Sequence, residues 1–233
     1  MAQSPKALVP YQRLRVAYLL TLVGGYLDAY TYFERGGVFA NAQTGNIVKL
    51  AIALANGAKD TYLSFLLPII AFSLGLFASL SLSEMLSLRN RRLVRRAVLA
   101  SEMCGLALVI AIPAGEGWNM LANCIVSFVA AMQFETFSTF RGDAIATTMS
   151  TGNLRKFVDS LFLGTVHHDT GELLRALRFL SIVVTFVAGA FVGTLFCDRM
   201  GTEAVAPAIV LLGLTVVVIT VLHHRNLVAA RHA

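Results

Sequence analysis

Residues 62–88 read YLSFLLPIIAFSLGLFASLSLSEMLSL, and the only charged residue in this stretch is Glu84. An α-helix needs about 20 predominantly apolar residues to cross a bilayer. Five other segments are similarly apolar, namely Val16–Phe33, Ala97–Pro113, Trp118–Phe140, Phe179–Cys197 and Ala204–Leu222. The sequence therefore predicts an all-α transmembrane fold with six spanning helices, in a single integral membrane domain over residues 1–233.

The composition fits a lipid environment rather than a soluble or nucleic-acid-binding protein. The chain is 57% hydrophobic and only 14% charged, whereas soluble domains carry about 25% charged residues. The net charge of +6 comes largely from basic residues at segment ends. Such residues usually set topology, so no nucleic-acid partner is expected.

Two further segments, Thr44–Asn56 and Thr151–Val166, are short or too polar to span alone. If both enter and leave on the same side, the positive-inside rule is satisfied throughout. Both termini are then cytoplasmic, together with the loop that carries Arg89, Arg91, Arg92, Arg95 and Arg96. We therefore predict two short re-entrant or broken helices in addition to the six spans.

The sequence repeats at an offset of 107 residues. Asp28–Leu50 aligns with Glu135–Phe157 without gaps, and Thr44-Gly45-Asn46 meets Thr151-Gly152-Asn153. Self-similarity at a fixed period indicates duplicated architecture. The repeats extend over residues 12–114 and 118–224, and because each contains three spans, the two halves are predicted to be inverted.

Matching broken helices in inverted repeats are typical of a transporter binding site. Asp28 and Glu135 lie at equivalent positions inside apolar helices, and an intramembrane carboxylate costs about 2.5–3.5 kcal/mol, which makes it a functional candidate. The alternative is that each pairs with Lys49 or Lys156 as a structural contact. Thr44 and Thr151 are predicted to cap the short helices. The candidate substrate- or ion-binding residues are Asp28, Asn41, Gln43, Thr44, Gly45, Asn46, Lys49, Gln133, Glu135, Thr148, Thr151, Gly152, Asn153 and Lys156.

The same residues carry a family resemblance. Gly25-Tyr26-Leu27-Asp28-Ala29, Gly36-Gly37-Val38-Phe39-Ala40-Asn41 and Thr44-Gly45-Asn46 resemble the opening signature of the YoaK family. A second, looser signature resembles Met132-Gln133, Thr147-Thr148 and Thr151-Gly152, although Phe134-Glu135 departs from it. The resemblance implies a small multi-pass protein of the bacterial inner membrane, with no stated activity.

The leading functional hypothesis is a secondary transporter or permease for a small solute or ion. An ion channel is a close alternative, and an assembly factor or a membrane enzyme is a more distant one. His167-His168-Asp169 and His223-His224 fall on the same side in the predicted topology and could meet as a metal site, the basis of the enzyme hypothesis. Neither a catalytic motif nor a cofactor is expected. Gly189 and Gly193 are predicted to pack helices within the chain, with a homodimer left open.

Overall fold

The computed structural model describes residues 13–58, 61–87 and 91–231, and nearly all of them are helical. The helices in chain order are α1 (Leu14–Glu34), α2 (Gln43–Ala55), α3 (Tyr62–Ser87), α4 (Arg91–Ile110), α5 (Glu116–Thr136), α6 (Thr151–Val166), α7 (Thr170–Met200) and α8 (Ala206–Arg231). A 3₁₀ turn, Gly201–Val205, joins α7 to α8. The predicted all-helical class is confirmed. Arg89, which the predicted orientation uses, lies outside the described residues.

The end of α5 differs from the prediction that Trp118–Phe140 forms one helical segment. The helix stops at Thr136, and two short strands follow, β1 (Thr139–Phe140) and β2 (Asp143–Ala144). They pair antiparallel around Arg141 and Gly142, whose φ angles are 52° and 88°. Two central residues with positive φ produce the tight turn that suits a hairpin. The apolar content of this segment concealed that turn.

The main helix contacts join the first half of the chain to the second half. The first helix, α1, packs along α7, and α5 packs along α3; α2 lies on α3, and α6 lies on α7. Likewise α4 packs on α5 and α8 packs on α1, while α4 and α8 contact each other. Every one of these contacts has a counterpart when the elements of the two halves are exchanged.

Glycines allow the closest helix crossings. A Cβ atom on Gly25 would lie well under 3.0 Å from the carbonyl oxygen of Phe186, and one on Gly189 would meet the carbonyl of Leu22. On the other side of the molecule, Gly75 packs against the carbonyl of Phe128 in the same way. Small residues that permit close backbone approach are characteristic of membrane helix interfaces. The prediction that Gly189 and Gly193 pack within the chain is confirmed.

The interior of the protein is centred on α1. Tyr26 and Tyr30 are fully buried, and their hydroxyls donate to the carbonyls of Ala204 and Thr202 at 2.6 and 2.9 Å. Both acceptors belong to the 3₁₀ turn. These bonds satisfy the polar ends of two buried aromatic side chains, as burial requires.

Two helical stretches, Tyr62–Leu86 and Thr170–Arg225, are long and apolar enough to span a membrane. The second comprises α7, the 3₁₀ turn and most of α8. Large apolar side chains are exposed along both stretches; Phe77 is 71% exposed, Phe191 64% and Val210 72%. A contiguous exposed apolar patch marks a surface that contacts lipid, a ligand or another protein.

Candidate functional site

A cavity of about 630 Å³ lies where α1 and α7 meet the starts of α2 and α6. Its aromatic wall includes Tyr32, Phe33, Phe39 and Phe186, and its polar lining consists of Asp28, Gln43, Thr44, Thr148, Ser150 and Thr151. Binding pockets of 300–1,000 Å³ commonly combine an apolar wall with a few convergent polar groups. Five of the predicted site residues therefore share one cavity: Asp28, Gln43, Thr44, Thr148 and Thr151.

Asp28 lies at this cavity and is 5% exposed. Its Oδ1 accepts a hydrogen bond from the backbone N–H of Asn41 at 2.8 Å. The Asn41 side chain donates in turn to the carbonyl of Gly24 at 3.0 Å. The carboxylate thus ties the unwound stretch before α2 to the middle of α1, because it satisfies a backbone donor that has no helical partner.

The non-helical segments before α2 and α6, residues 35–42 and 137–150, are called the polar breaks. Asn46 and Asn153 fold them in the same way. Asn46 Nδ2 donates to the carbonyl of Phe39 at 2.6 Å, and its Oδ1 accepts from the Phe39 N–H at 3.0 Å. Asn153 makes the same pair of bonds to Ala146, at 2.6 and 3.2 Å. Each asparagine therefore closes a loop of seven residues onto the helix that follows it. Both residues line up at the repeat offset of 107.

The predicted N-caps are wrong. The helix α2 begins at Gln43 with Ala42 as its cap residue, so Thr44 lies inside the first turn. The helix α6 begins at Thr151 itself, and the cap residue Ser150 makes no capping bond. The asparagine side chains one turn later hold the loop instead. The asparagine one turn into each helix, rather than the threonine at its start, indicates where the preceding loop is held.

The N-terminal ends of α2 and α6 both open onto the cavity, since Gln43 and Thr44 line it on one side and Ser150 and Thr151 on the other. Free backbone N–H groups and the helix dipole give such ends partial positive charge. The hydroxyl oxygens of Thr148 and Ser150 have no hydrogen-bond partner within the described ranges. Polar groups in this position are suited to holding a ligand.

The two lysines lie beside the breaks rather than against the carboxylates. Lys49 Nζ donates to the carbonyl of Gly37 and sits 4.5 Å from the ring centroid of Tyr32 and 4.8 Å from that of Phe39. Lys156 Nζ donates to the carbonyl of Ala144. The alternative in which each carboxylate pairs with a lysine is therefore wrong for Asp28. Tyr32 and Phe39 line the cavity wall. Lys49, which contacts both rings, therefore lies at the edge of the cavity.

Glu135 is not brought to the cavity. It lines a separate groove of about 330 Å³ with Glu84 and Arg95. The helix α5 ends at Thr136, so Glu135 sits in the last turn, whereas Asp28 lies almost two turns before the end of α1. The two carboxylates share a sequence offset but occupy different positions relative to the polar breaks. Gln133 is buried and lies beside Thr147.

The two glycines of the candidate set have different surroundings. A Cβ atom on Gly45 would lie 3.0 Å from the ring of Phe39, so this glycine allows an aromatic residue of the cavity wall to pack closely. Gly152 has open space around its Cβ position. Only the first is required by packing.

Three buried charged residues were absent from the sequence-based candidates. Arg35 is fully buried and donates to the carbonyls of Val109 and Ile112 at 3.2 and 3.0 Å. It thereby neutralises the C-terminal end of α4. Asp143 is bound by Arg175 and Arg178 at 2.9 and 2.6 Å. Glu102 is fully buried within α4. It is a lone carboxylate in an apolar segment, and that feature alone would have identified it from the sequence as a functional candidate.

Neither histidine pair forms a metal centre in the described residues, where no group of three or more His, Cys, Asp or Glu side chains is placed to hold a metal ion. His223 instead lies 3.0 Å from the guanidinium of Arg92.

Comparison with known proteins places the chain in a family but supplies no activity. A family model described as "Protein of unknown function (DUF1275)" matches residues 16–218. Neither the curated proteins nor the solved structures gave a match.

Proposed function

Because the chain belongs to the DUF1275 family, whose description states no activity, we propose its function from the cavity. The protein is a multi-pass membrane transporter or permease for a small solute or ion. Its binding site is the cavity between the two polar breaks. The observation that carries this proposal is the convergence of two helix N-termini and one buried carboxylate, Asp28, on a single cavity.

A membrane location is supported by the exposed apolar surface and by the two long apolar stretches. The six spans of the proposed topology are α1, α3, α4, α5, α7 and α8. The second long apolar stretch supplies the last two of them. The helices α2 and α6, with 13 and 16 residues, are shorter than the roughly 20 residues that a span requires. They are proposed to enter and leave on one side. With both termini cytoplasmic, a bacterial inner membrane is the proposed location.

The proposed inverted repeat has two kinds of support besides the sequence offset. Helix contacts keep the same pattern when the halves are exchanged, with α1 on α7 and α5 on α3. The side-chain bonds that close the breaks also correspond residue by residue, as Asn46 binds Phe39 and Asn153 binds Ala146. Backbone that leaves the helix at membrane depth is tolerated where it is buried or lines a cavity.

The cavity offers two kinds of recognition to a small solute. Asp28 attracts a positive group, whereas the starts of α2 and α6 attract a negative one. The aromatic wall suits an apolar body between them. A volume of about 630 Å³ restricts the solute to the size of an ion or a small metabolite.

The test is charge movement in proteoliposomes adsorbed on a solid-supported membrane. The probes are Na⁺, K⁺, protons, chloride, ammonium and small amino and carboxylic acids, added in concentration jumps. The proposal predicts a saturable current for at least one probe, and at least a tenfold loss of that current in Asp28→Asn. Glu135→Gln is the matched control, because it also neutralises one carboxylate but lies outside the cavity.

Other outcomes separate the competing functions. A steady, non-saturating conductance identifies a channel and contradicts the carrier mechanism. The absence of current and of isotope uptake for every probe contradicts transport altogether. Equal loss in Asp28→Asn and Glu135→Gln contradicts the assignment of the site to this cavity.

A further inference from the structure

Glu102 is a fully buried carboxylate in the middle of α4, outside the cavity just described. A lone charge in an apolar interior is so costly that such a group pairs, or neutralises by taking up a proton. Intramembrane carboxylates commonly belong to proton relays. The question is what Glu102 contacts and whether that contact leads to the cavity.

The amide of Gln133, on α5, faces Glu102. With its NH₂ group turned towards the carboxylate, the nitrogen lies 3.0 Å from Oε2 and 3.2 Å from Oε1. With the amide turned by half a rotation, its oxygen faces Glu102, and the nitrogen lies 3.5 Å from Thr147 Oγ1. The first orientation fits an ionised Glu102, which only accepts hydrogen bonds. The second fits a protonated Glu102, which donates to the amide oxygen.

The Thr147 end of this contact reaches the cavity. Thr147 is fully buried, and its neighbour Thr148 lines the cavity. The Thr148 hydroxyl is itself buried and has no hydrogen-bond partner in the part of the chain described. The carbonyl of Thr147 also packs against Gly24, where a Cβ atom would be too close. Gly24 in turn accepts the Asn41 side chain that orders the Asp28 site. A change at Gln133 therefore bears directly on the cavity wall.

Opposite charges that would hold Glu102 ionised lie away from it. Near the N-terminal end of α4, Arg95, Glu84 and Glu135 line one groove and His223 contacts Arg92; Arg35 contacts the C-terminal end. Arg35 bonds to carbonyls two turns beyond Glu102. Gln133 is thus the polar side chain that the structure places against the carboxylate.

We propose that Glu102 is the proton-coupling residue of this protein, and that Gln133 and Thr147 pass its protonation state to the cavity. The bond that forms and breaks is the carboxyl O–H, and the proton is taken from and returned to water. When Glu102 loses its proton, the Gln133 amide turns its NH₂ group to the carboxylate and its oxygen to Thr147, whose hydroxyl then donates instead of accepting. The reversed hydrogen bond changes the polarity of the wall beside Thr148. The coupling role rests on the proposed transport function, whereas the protonation site does not.

The protonation site is tested by infrared difference spectroscopy of the full chain in lipid nanodiscs after a pH jump. The wild type is expected to show a carbonyl band from a buried protonated carboxyl. That band is absent in Glu102→Gln, shifted in Gln133→Leu and unchanged in Glu135→Gln. A band that survives in Glu102→Gln, or that disappears only in Asp28→Asn, overturns the proposal. Circular dichroism confirms that each variant is folded.

The coupling role is tested by flux in proteoliposomes with the probe that the wild type transports. Glu102→Gln is expected to keep exchange driven by the gradient of the probe itself, and to lose at least tenfold of the uptake driven by a pH gradient. If uptake driven by a pH gradient persists in Glu102→Gln, the coupling role is overturned. A wild type with no flux of any probe refutes the transport function instead, and the infrared result then decides the protonation site alone.

Discussion

Gly25→Ala is expected to destabilise the protein because α1 and α7 cross closely at this residue. The new Cβ atom would lie well under 3.0 Å from the Phe186 carbonyl oxygen and 3.1 Å from the Ala190 nitrogen. Both are backbone atoms, so neither moves aside by a change of rotamer. The helices must separate, and Phe186 and Ala190 line the cavity, so its wall shifts as well.

The size of the effect follows from two opposing terms. Overpacking a tight interface costs about 1–3 kcal/mol, while alanine gains about 1 kcal/mol over glycine in a helix. Because the obstacle is backbone, the steric cost is expected at the upper end. The net loss in the free energy of unfolding is therefore about 1–2 kcal/mol.

The assay is reversible unfolding in mixed micelles by titration with SDS, followed by circular dichroism. Gly213→Ala in α8 is the matched control, because open space surrounds its Cβ position. It is expected to gain about 0.4–1 kcal/mol. If Gly25→Ala is as stable as the wild type, or both variants shift equally, the close crossing of α1 and α7 is refuted.

The same titration checks four further substitutions. Asn46→Ala and Asn153→Ala are each expected to lose about 1–3 kcal/mol, because each leaves buried backbone groups of a polar break unpaired; losses below about 0.5 kcal/mol would contradict the bracing role. Asp143→Asn is expected to lose about 1–2 kcal/mol, since one largely buried carboxylate holds two arginines, and to lose less at high salt. Arg35→Met is expected to give the largest loss, above about 3 kcal/mol, because several helix-end carbonyls lose their donor.

The helices were predictable from the sequence because their apolar segments are long. Each predicted segment overlaps a helix, although α5 ends at Thr136 rather than Phe140. The repeat offset pairs Asn46 with Asn153, which make the same hydrogen bonds in their loops. What apolar content could not reveal was the hairpin after α5. It depends on the backbone angles of Arg141 and Gly142, which hydropathy does not record.

The candidate site was predictable only in part. Asp28, Thr44 and Thr151 reach the same cavity because the helices that carry them meet there. Glu135 does not reach it. The offset aligns Glu135 with Asp28 in sequence, but α5 ends one residue after Glu135, whereas α1 continues for six residues after Asp28. Glu102 has no charged counterpart at the offset, since Ile209 is apolar, so the repeat does not single it out.

The central claim, that a solute passes through the cavity between the two breaks, is tested most directly by blocking it. Thr44→Cys and Thr151→Cys, made in a background without native cysteines, place a thiol on each side of the cavity. Labelling with a bulky thiol reagent is expected to abolish flux in both, and the transported probe is expected to slow the labelling. Thr165→Cys, exposed near the other end of α6, is the control and keeps its flux. Full flux after complete labelling at Thr44→Cys and Thr151→Cys would contradict the account.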